Sequence, residues 1–283
     1  MKSFAQLTEK EPNSLMIVDS LNLAFRYSHQ KAKNFAEDYM RTVSSLQKSY
    51  KCDKVVIGGD KGSSSYRKAI YPLYKGNRAE KYANQTPEEA EYFKEFIEEV
   101  NHILDLYIEQ DKYPVLRFQG VECDDIAAYI CLKRKKFGIA RIMNISSDRD
   151  WLLNLSEHVS QFSYSNKKEF YFENWSEHYD HSIEDYISIK VLQGDSGDNV
   201  PGVPGIGPKK ALALVQQYGS ALDIAAALPI QSKYKHIQAL NEFGAEAIER
   251  NYKLMDLVTF CEEAIGEENC RKIDEVLEAY LKQ

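Results

Sequence analysis

The chain has 283 residues, 43% of them apolar and 28% charged, with 14 Gly and 8 Pro; this ordinary globular composition excludes wholesale disorder and collagen-like repetition and leaves room for one large domain or two modest ones. The net charge of −7 argues at first sight against a nucleic-acid partner, yet it is unevenly spread, with six bases against one acid from Lys61 to Tyr82 and eleven acids against five bases from Leu240 to Gln283. No run of 18 apolar residues occurs, the opening stretch Met1 to Asn13 lacks the blocks of a signal peptide, and the five cysteines form no CxxC pair, so a cytoplasmic protein with reduced structural thiols and no membrane contact is expected.

Short apolar runs predict parallel strands at Leu15 to Val18, Val55 to Ile57, Val115 to Phe118 and Arg141 to Ile145. Helical patterns alternate with them. The clearest follows Thr86 and Glu89, a capping box around Pro87, with apolar positions at Phe93, Phe96, Ile97, Val100, Ile103, Leu104, Tyr107 and Ile108. Such alternation implies an α/β fold, a mostly parallel central sheet flanked by helices. Val159 to Tyr164 and Glu169 to Phe172 read as an edge hairpin across Ser165 and Asn166. Ser182 then caps a helix, a Gly/Pro-rich connector runs from Gly194 to Pro208, and the rest is helical. Two regions are expected, 14–185 and 186–283.

Each predicted parallel strand runs into acids: Asp19 after the first, Asp60 after the second, Glu122, Asp124 and Asp125 after the third, Asp148 and Asp150 after the fourth. The carboxyl ends of parallel strands share one edge, where such folds bind ligands. Asp195 and Asp198 can join them. Nine carboxylates that close raise one another's pKa unless cations compensate, and oxygen donors without His or Cys select Mg²⁺, with Mn²⁺ as a substitute, over zinc. Two such ions suit phosphodiester hydrolysis. Each acid alone also has a plainer reading as a helix-capping or turn residue. Setting nine metal-bound acids aside from 43 leaves 34 against 36 Lys plus Arg, a surface that does not repel DNA.

The basic stretch from Lys61 to Tyr82 is interleaved with Tyr66, Tyr71, Tyr74 and Tyr82, a pattern that can hold a phosphate backbone and stack on bases, although a solvated face also accounts for it. In the connector, Gly202, Gly205 and Gly207 precede a helix that begins Lys209-Lys210. Glycines there let amides approach an anion. Two lysines in a first turn oppose the helix dipole, which makes sense if the counter-charge is a phosphate.

The ordered series Ile17-Val18-Asp19 with Asn22 and Phe25-Arg26, Gly59-Asp60-Lys61-Gly62, Tyr74-Lys75-Gly76-Asn77-Arg78, Gly120-Val121-Glu122-Cys123-Asp124-Asp125, Ser147-Asp148-Arg149-Asp150-Trp151 and Gly194-Asp195-Ser196-Gly197-Asp198-Asn199 resembles the 5′-nuclease (flap endonuclease) family. The phage 5′-exonucleases are the nearest branch, and the 5′-nuclease domain of bacterial DNA polymerase I is next. The resemblance implies a PIN-like 5′-nuclease core with a helical arch at about 72–100, and a helix-hairpin-helix at about 186–218. It implies a two-metal nuclease of phage-type DNA replication that cuts DNA at 5′ flaps and 5′ ends, with RNA primers a further candidate substrate. All nine acids match metal ligands of the family, and Asp148, Asp150, Lys75 and Arg78 are expected at the chemistry. Arg26, Tyr74, Tyr82, Gly202, Gly205, Gly207, Lys209 and Lys210 are expected to hold DNA, a potassium ion is a candidate at the hairpin, and a monomer is expected. Ser20, Cys123 and Lys210 depart from residues frequent in the family. A PIN-like ribonuclease and a non-catalytic DNA-junction-binding protein are the competing readings; the first does not need the hairpin lysines, and the second would lack a metal ligand.

Overall fold

The computed structural model describes residues 13–283, so the opening stretch read above as lacking a leader lies, through residue 12, outside the described residues. Its centre is a six-stranded sheet in the order β3-β2-β1-β4-β5-β6, built from β1 (Ser14–Asp19), β2 (Lys54–Gly58), β3 (Val115–Leu116), β4 (Arg141–Ile145), β5 (Val159–Ser163) and β6 (Lys168–Phe170). Leu15, Met16, Ile17 and Val18 are wholly buried, as a central strand covered on both faces requires. Asp19 aligns with Gly58 of β2, and Val18 with Ile145 of β4, so three strand ends lie side by side.

The expected edge hairpin is present, with β5 and β6 antiparallel at one edge of the sheet, and two further features were not expected. β5 pairs parallel with β4, which makes five parallel strands, and only β6 runs antiparallel. β5 is thus both a fifth parallel strand and the first arm of the edge hairpin. β3 is two residues long where Val115 to Phe118 was expected, because the chain leaves the sheet edge toward a turn at Gly120 (φ +73°).

One face of the sheet is covered by α1 (Ser20–His29), α2 (Ala36–Ser49) and the inner half of α5 (Pro87–Glu109). The Thr86–Glu89 capping box is present, and Phe96, Val100, Ile103, Leu104 and Tyr107 form the buried stripe. Before Phe96 this helix is largely exposed, and with α4 (Asn77–Ala83) it makes up the segment expected to be an arch, which α3 (Ser65–Ile70) precedes. From Phe96 onward that segment belongs to the core.

The opposite face carries α6 (Cys123–Lys133). Beyond it, α7 (Ile183–Gln193) follows its Ser182 cap and leads into a small hairpin of β7 (Gly194–Asp195) and β8 (Val200–Pro201). Then come α8 (Pro208–Tyr218), α9 (Ala221–Ala226), α10 (Lys235–Phe243), α11 (Ala245–Met255), α12 (Leu257–Ile265) and α13 (Glu267–Leu281). Helices α7 to α11 enclose a core of their own around Leu192, Ala211 and Leu214. Helices α12 and α13 instead pack Leu257, Ile273 and Leu277 against Leu15, Ile17 and Val56 of the sheet. The amide of Val55 donates to the Tyr280 hydroxyl at 3.3 Å. All five cysteines are buried free thiols, and no helix among the described residues is long and apolar enough to cross a membrane.

Candidate active site

Asp19 ends β1 and caps α1: its Oδ1 accepts from the Asn22 amide at 3.1 Å and its Oδ2 from Ser146 Oγ at 2.9 Å. Asp60 Oδ1 accepts from the Cys123 amide at 2.7 Å, at the start of α6. One residue further, Asp124 Oδ1 accepts from Trp151 Nε1 at 2.6 Å, and Asp148 Oδ1 accepts from the Asp150 amide at 2.8 Å. These donors are neutral. Burial, then the charge of Asp60, pushes Asp19 up to about 7, and burial with Asp150 pushes Asp148 up to about 6. Burial also raises Asp60 and Asp124, the latter with the charges of Asp148, Asp19 and Asp60 added. Four carboxylates from separate segments thus face one another short of positive charge.

The neighbouring acids are ion-paired with cations, although burial still raises Asp125. Arg67, buried between α3 and α6, grips Asp125 with two guanidinium nitrogens at 2.7 Å each and reaches Glu122 Oε2 at 3.3 Å. Lys75 Nζ lies 2.7 Å from Glu122 Oε1, and Tyr74 donates its hydroxyl to Glu122 at 3.0 Å and to Asp198 at 2.8 Å. Burial raises Glu122, but Lys75 and Arg67 outweigh it and hold the carboxyl below its usual range. Arg78 pairs with Asp198 at 2.9 Å, and Lys190 of α7 pairs with Asp150. Asp195 Oδ1 accepts from the Gly197 amide at 2.7 Å.

This division sorts the expected site residues by their surroundings. Asp125 is set apart from the metal edge: neighbours on a helix point about 100° apart, so Asp124 faces the sheet edge while Asp125 faces Arg67. Tyr74 is 3% exposed and braces two carboxylates, leaving no face on which a base could stack. Arg67, counted in the basic stretch, is also 3% exposed and holds no free charge for DNA. Arg26 is half-buried, its guanidinium 4.6 Å and 4.4 Å from the Tyr27 and Tyr164 rings, and donates to Thr42. Tyr82, 47% exposed and 5.5 Å from Phe93, does face outward.

No three acids among the described residues already close on one point, and Lys75, Lys190 and Arg78 pair with Glu122, Asp150 and Asp198 beside them. The donor set nevertheless fits hard divalent cations. Every donor is oxygen, and four carboxylates, Asp19 buried and Asp60, Asp124 and Asp148 half-buried, are raised by desolvation that the protein's own cations offset only in part.

At the connector, a Cβ on Gly202 would sit 1.9 Å from the Gln193 carbonyl oxygen, so glycine is required by close approach. Gly205 turns through φ +74°, and Lys210 Nζ donates to its carbonyl at 2.8 Å. Gly207 has ordinary φ and open space where a side chain would be, so nothing inside the fold demands glycine there. Lys209 lines a groove of about 670 Å³ shared with Asp148, Asp150, Asp195 and Lys190. Hairpin and acids therefore border one channel.

A model of the 5′-3′ exonuclease N-terminal resolvase-like domain matches residues 14–180, and one of the 5′-3′ exonuclease C-terminal SAM fold matches 182–275. The chain belongs to the 5′-3′ exonuclease family. It is 39% identical over 273 residues to the flap endonuclease of Escherichia phage T5, covering 94% of this chain and 92% of that one. It is also 29% identical over 236 residues to a 5′-3′ exonuclease of Aquifex aeolicus, covering 82% of this chain and 74% of that one. Among solved structures, the phage T5 flap endonuclease in a pseudo-enzyme-product complex with DNA and metal ions superposes with a TM-score of 0.89 at 37% identity, over 95% of this chain and all of that one. As a member of this family the chain is a metal-dependent 5′ nuclease of DNA.

Sequence reasoning missed four contributors. Lys190 stands in the apolar run Ile187 to Leu192, where a lone lysine signals a buried partner. Trp151 follows Asp150 directly. Asn77 and Asn199 lie inside recognised motifs but carry no charge to draw notice.

Proposed function

We propose that this chain is a structure-specific flap endonuclease and 5′-3′ exonuclease of phage-type DNA replication, cutting DNA phosphodiesters near single-strand/duplex junctions with two divalent metal ions. The groove that joins Asp148, Asp150 and Asp195 to the hairpin lysine Lys209 carries this reading. Asp19, Asp60, Asp124 and Asp148 would hold the ions, with Glu122, Asp150, Asp195 and Asp198 beside them. When bound, the ions supply a water nucleophile at neutral pH and stabilise the leaving oxygen. Lys75, 2.7 Å from Glu122, would place its ammonium where charge builds on the scissile phosphate. Arg78, 48% exposed in its side chain, would reach the strand entering beside Tyr82. The Gly205–Gly207 turn, Lys209 and Lys210 would hold the duplex by its backbone, without reading sequence.

Mg²⁺ is the proposed physiological ion, with Mn²⁺ as substitute, potassium at the hairpin, a monomer as the active form and the cytoplasm of a bacterial or phage-infected cell as its place. We keep 14–185 as the nuclease core and 186–283 as the helical region. Digestion of a labelled 5′-flap DNA with Mg²⁺ tests the proposal: products cut near the junction are expected, with none in EDTA. Preference for single-stranded RNA without regard to a junction would favour a PIN-like ribonuclease instead.

A further inference from the structure

Besides the Tyr74 and Arg78 contacts to the Asp198 carboxylate, three hydrogen bonds of equal length to backbone carbonyls join the base of the arch and the loop between β7 and β8. Asn77 Nδ2 donates to the Ser196 carbonyl at 2.8 Å, Asn199 Nδ2 donates to the Leu73 carbonyl at 2.8 Å, and the Lys75 amide donates to the Asp198 carbonyl at 2.8 Å. The two asparagines are reciprocal, each reaching from its own segment to the backbone of the other. Between them sits Lys75 with φ +55°, a left-handed conformation that a lysine seldom adopts; Asn199 has φ +59°, which asparagine tolerates better. Such a conformation persists only where surrounding contacts over-determine it. Here the contacts lie two residues before Lys75, two after it and on its own amide.

The packing leaves no slack. A Cβ on Gly76 would lie 2.9 Å from Leu73 O, the acceptor that Asn199 uses. Asn77 Oδ1 is buried with no hydrogen-bond partner, so its amide carries a cost that local stability does not explain. The same loop carries Asp195 and Asp198, and Asp198 lies 3.7 Å from Lys75 Nζ. We propose that Asn77 and Asn199 are positioning residues: they clasp the arch base to the 195–199 loop and so fix Lys75 in its left-handed conformation, aimed at the carboxylate edge. This rests on the role given to Lys75 above.

The experiment is a double-mutant cycle on the full chain. Single-turnover cleavage of a 5′-flap DNA at saturating enzyme in Mg²⁺ is compared with the dissociation constant for the same DNA in Ca²⁺. Asn77→Ala and Asn199→Gly, the latter keeping access to positive φ, should each slow cleavage by up to about 10²-fold, the scale of a misplaced group, while affinity stays within about two-fold. In a Lys75→Ala background neither should slow cleavage further. Metal-free protein should also be cut faster by trypsin after Lys75 in both variants. Asn77→Ser replaces Asn77→Ala if the latter fails to fold. Wild-type rates in both variants would overturn the clasp, as would losses that multiply fully in the Lys75→Ala background. If Lys75→Ala alone cleaves at the wild-type rate, the role of Lys75 fails first and the clasp has nothing to position.

Discussion

The carboxyl edge of the sheet holds two acidic groups that differ in one respect. Around Arg67, the acids Asp125 and Glu122 are closed off by cations and by Tyr74. A few residues away, Asp19, Asp60, Asp124 and Asp148 accept hydrogen bonds from neutral donors, and the nearby Lys75, Arg78 and Lys190 do not outweigh the burial that raises them. Asp124 and Asp125 are neighbours in the chain and fall on opposite sides of this divide. A buried carboxylate is therefore no evidence of a metal ligand by itself, and what discriminates is whether the fold has already supplied its counter-charge.

The most severe test acts on the open group. Asp148→Asn should reduce cleavage to background while flap binding in Ca²⁺ is kept; substantial turnover by this variant would dissolve the distinction. Next in size is the brace. Arg67→Ala leaves Asp125 and part of Glu122 buried without a partner, and urea unfolding should show a loss of about 3–5 kcal/mol. Asp125→Asn should cost stability and spare most of the single-turnover rate, whereas lost cleavage at unchanged stability would move Asp125 into the metal set.

How far these groups were legible follows from what each signal depends on. Acids after apolar runs need only local pattern, and the ends of β1, β2 and β4 carry Asp19, Asp60 and Asp148 as expected. Their partition depends on helix rotation and on residues 55 or more positions away, such as Arg67 for Glu122. Tyr74 looked like a stacking residue because its neighbours are basic, yet only tertiary packing shows its hydroxyl between two carboxylates. The fifth parallel strand was hidden for a similar reason, since strand direction is a property of pairing.

A smaller effect concerns the hairpin, which borders the open group through the groove. Lys209→Ala with Lys210→Ala should weaken duplex affinity whatever the sequence and flatten its salt dependence, because fewer counterions are released. Unchanged affinity across salt concentrations would reduce the hairpin to a turn.

The smallest effect is thermal. Asp19 is raised above its unfolded value to about 7, so the native state holds its proton more tightly, and its contribution to stability falls as pH rises from near 4 through 7. In EDTA at pH 8, Asp19→Asn should therefore raise the melting temperature by about 2–4 °C per kcal/mol relieved, and the gain should shrink by pH 4. Mg²⁺ should stabilise wild type more at pH 8 than at pH 5. A variant that melts lower than wild type in EDTA at pH 8 would mean that Asp19 is already compensated.

The chain leaves the sheet region at α7, builds the glycine hairpin, and returns through α12 and α13 to pack on β1 and β2. The hairpin is thus joined at both ends to elements packed in the two cores. A grip with two tethers works as a ruler. With the duplex held as proposed, the point of grip would fix which phosphodiester lies over Asp148, and the length of the product would become a dimension of the fold, set by the span of the groove from Lys209 to Asp148 and independent of the sequence being cut.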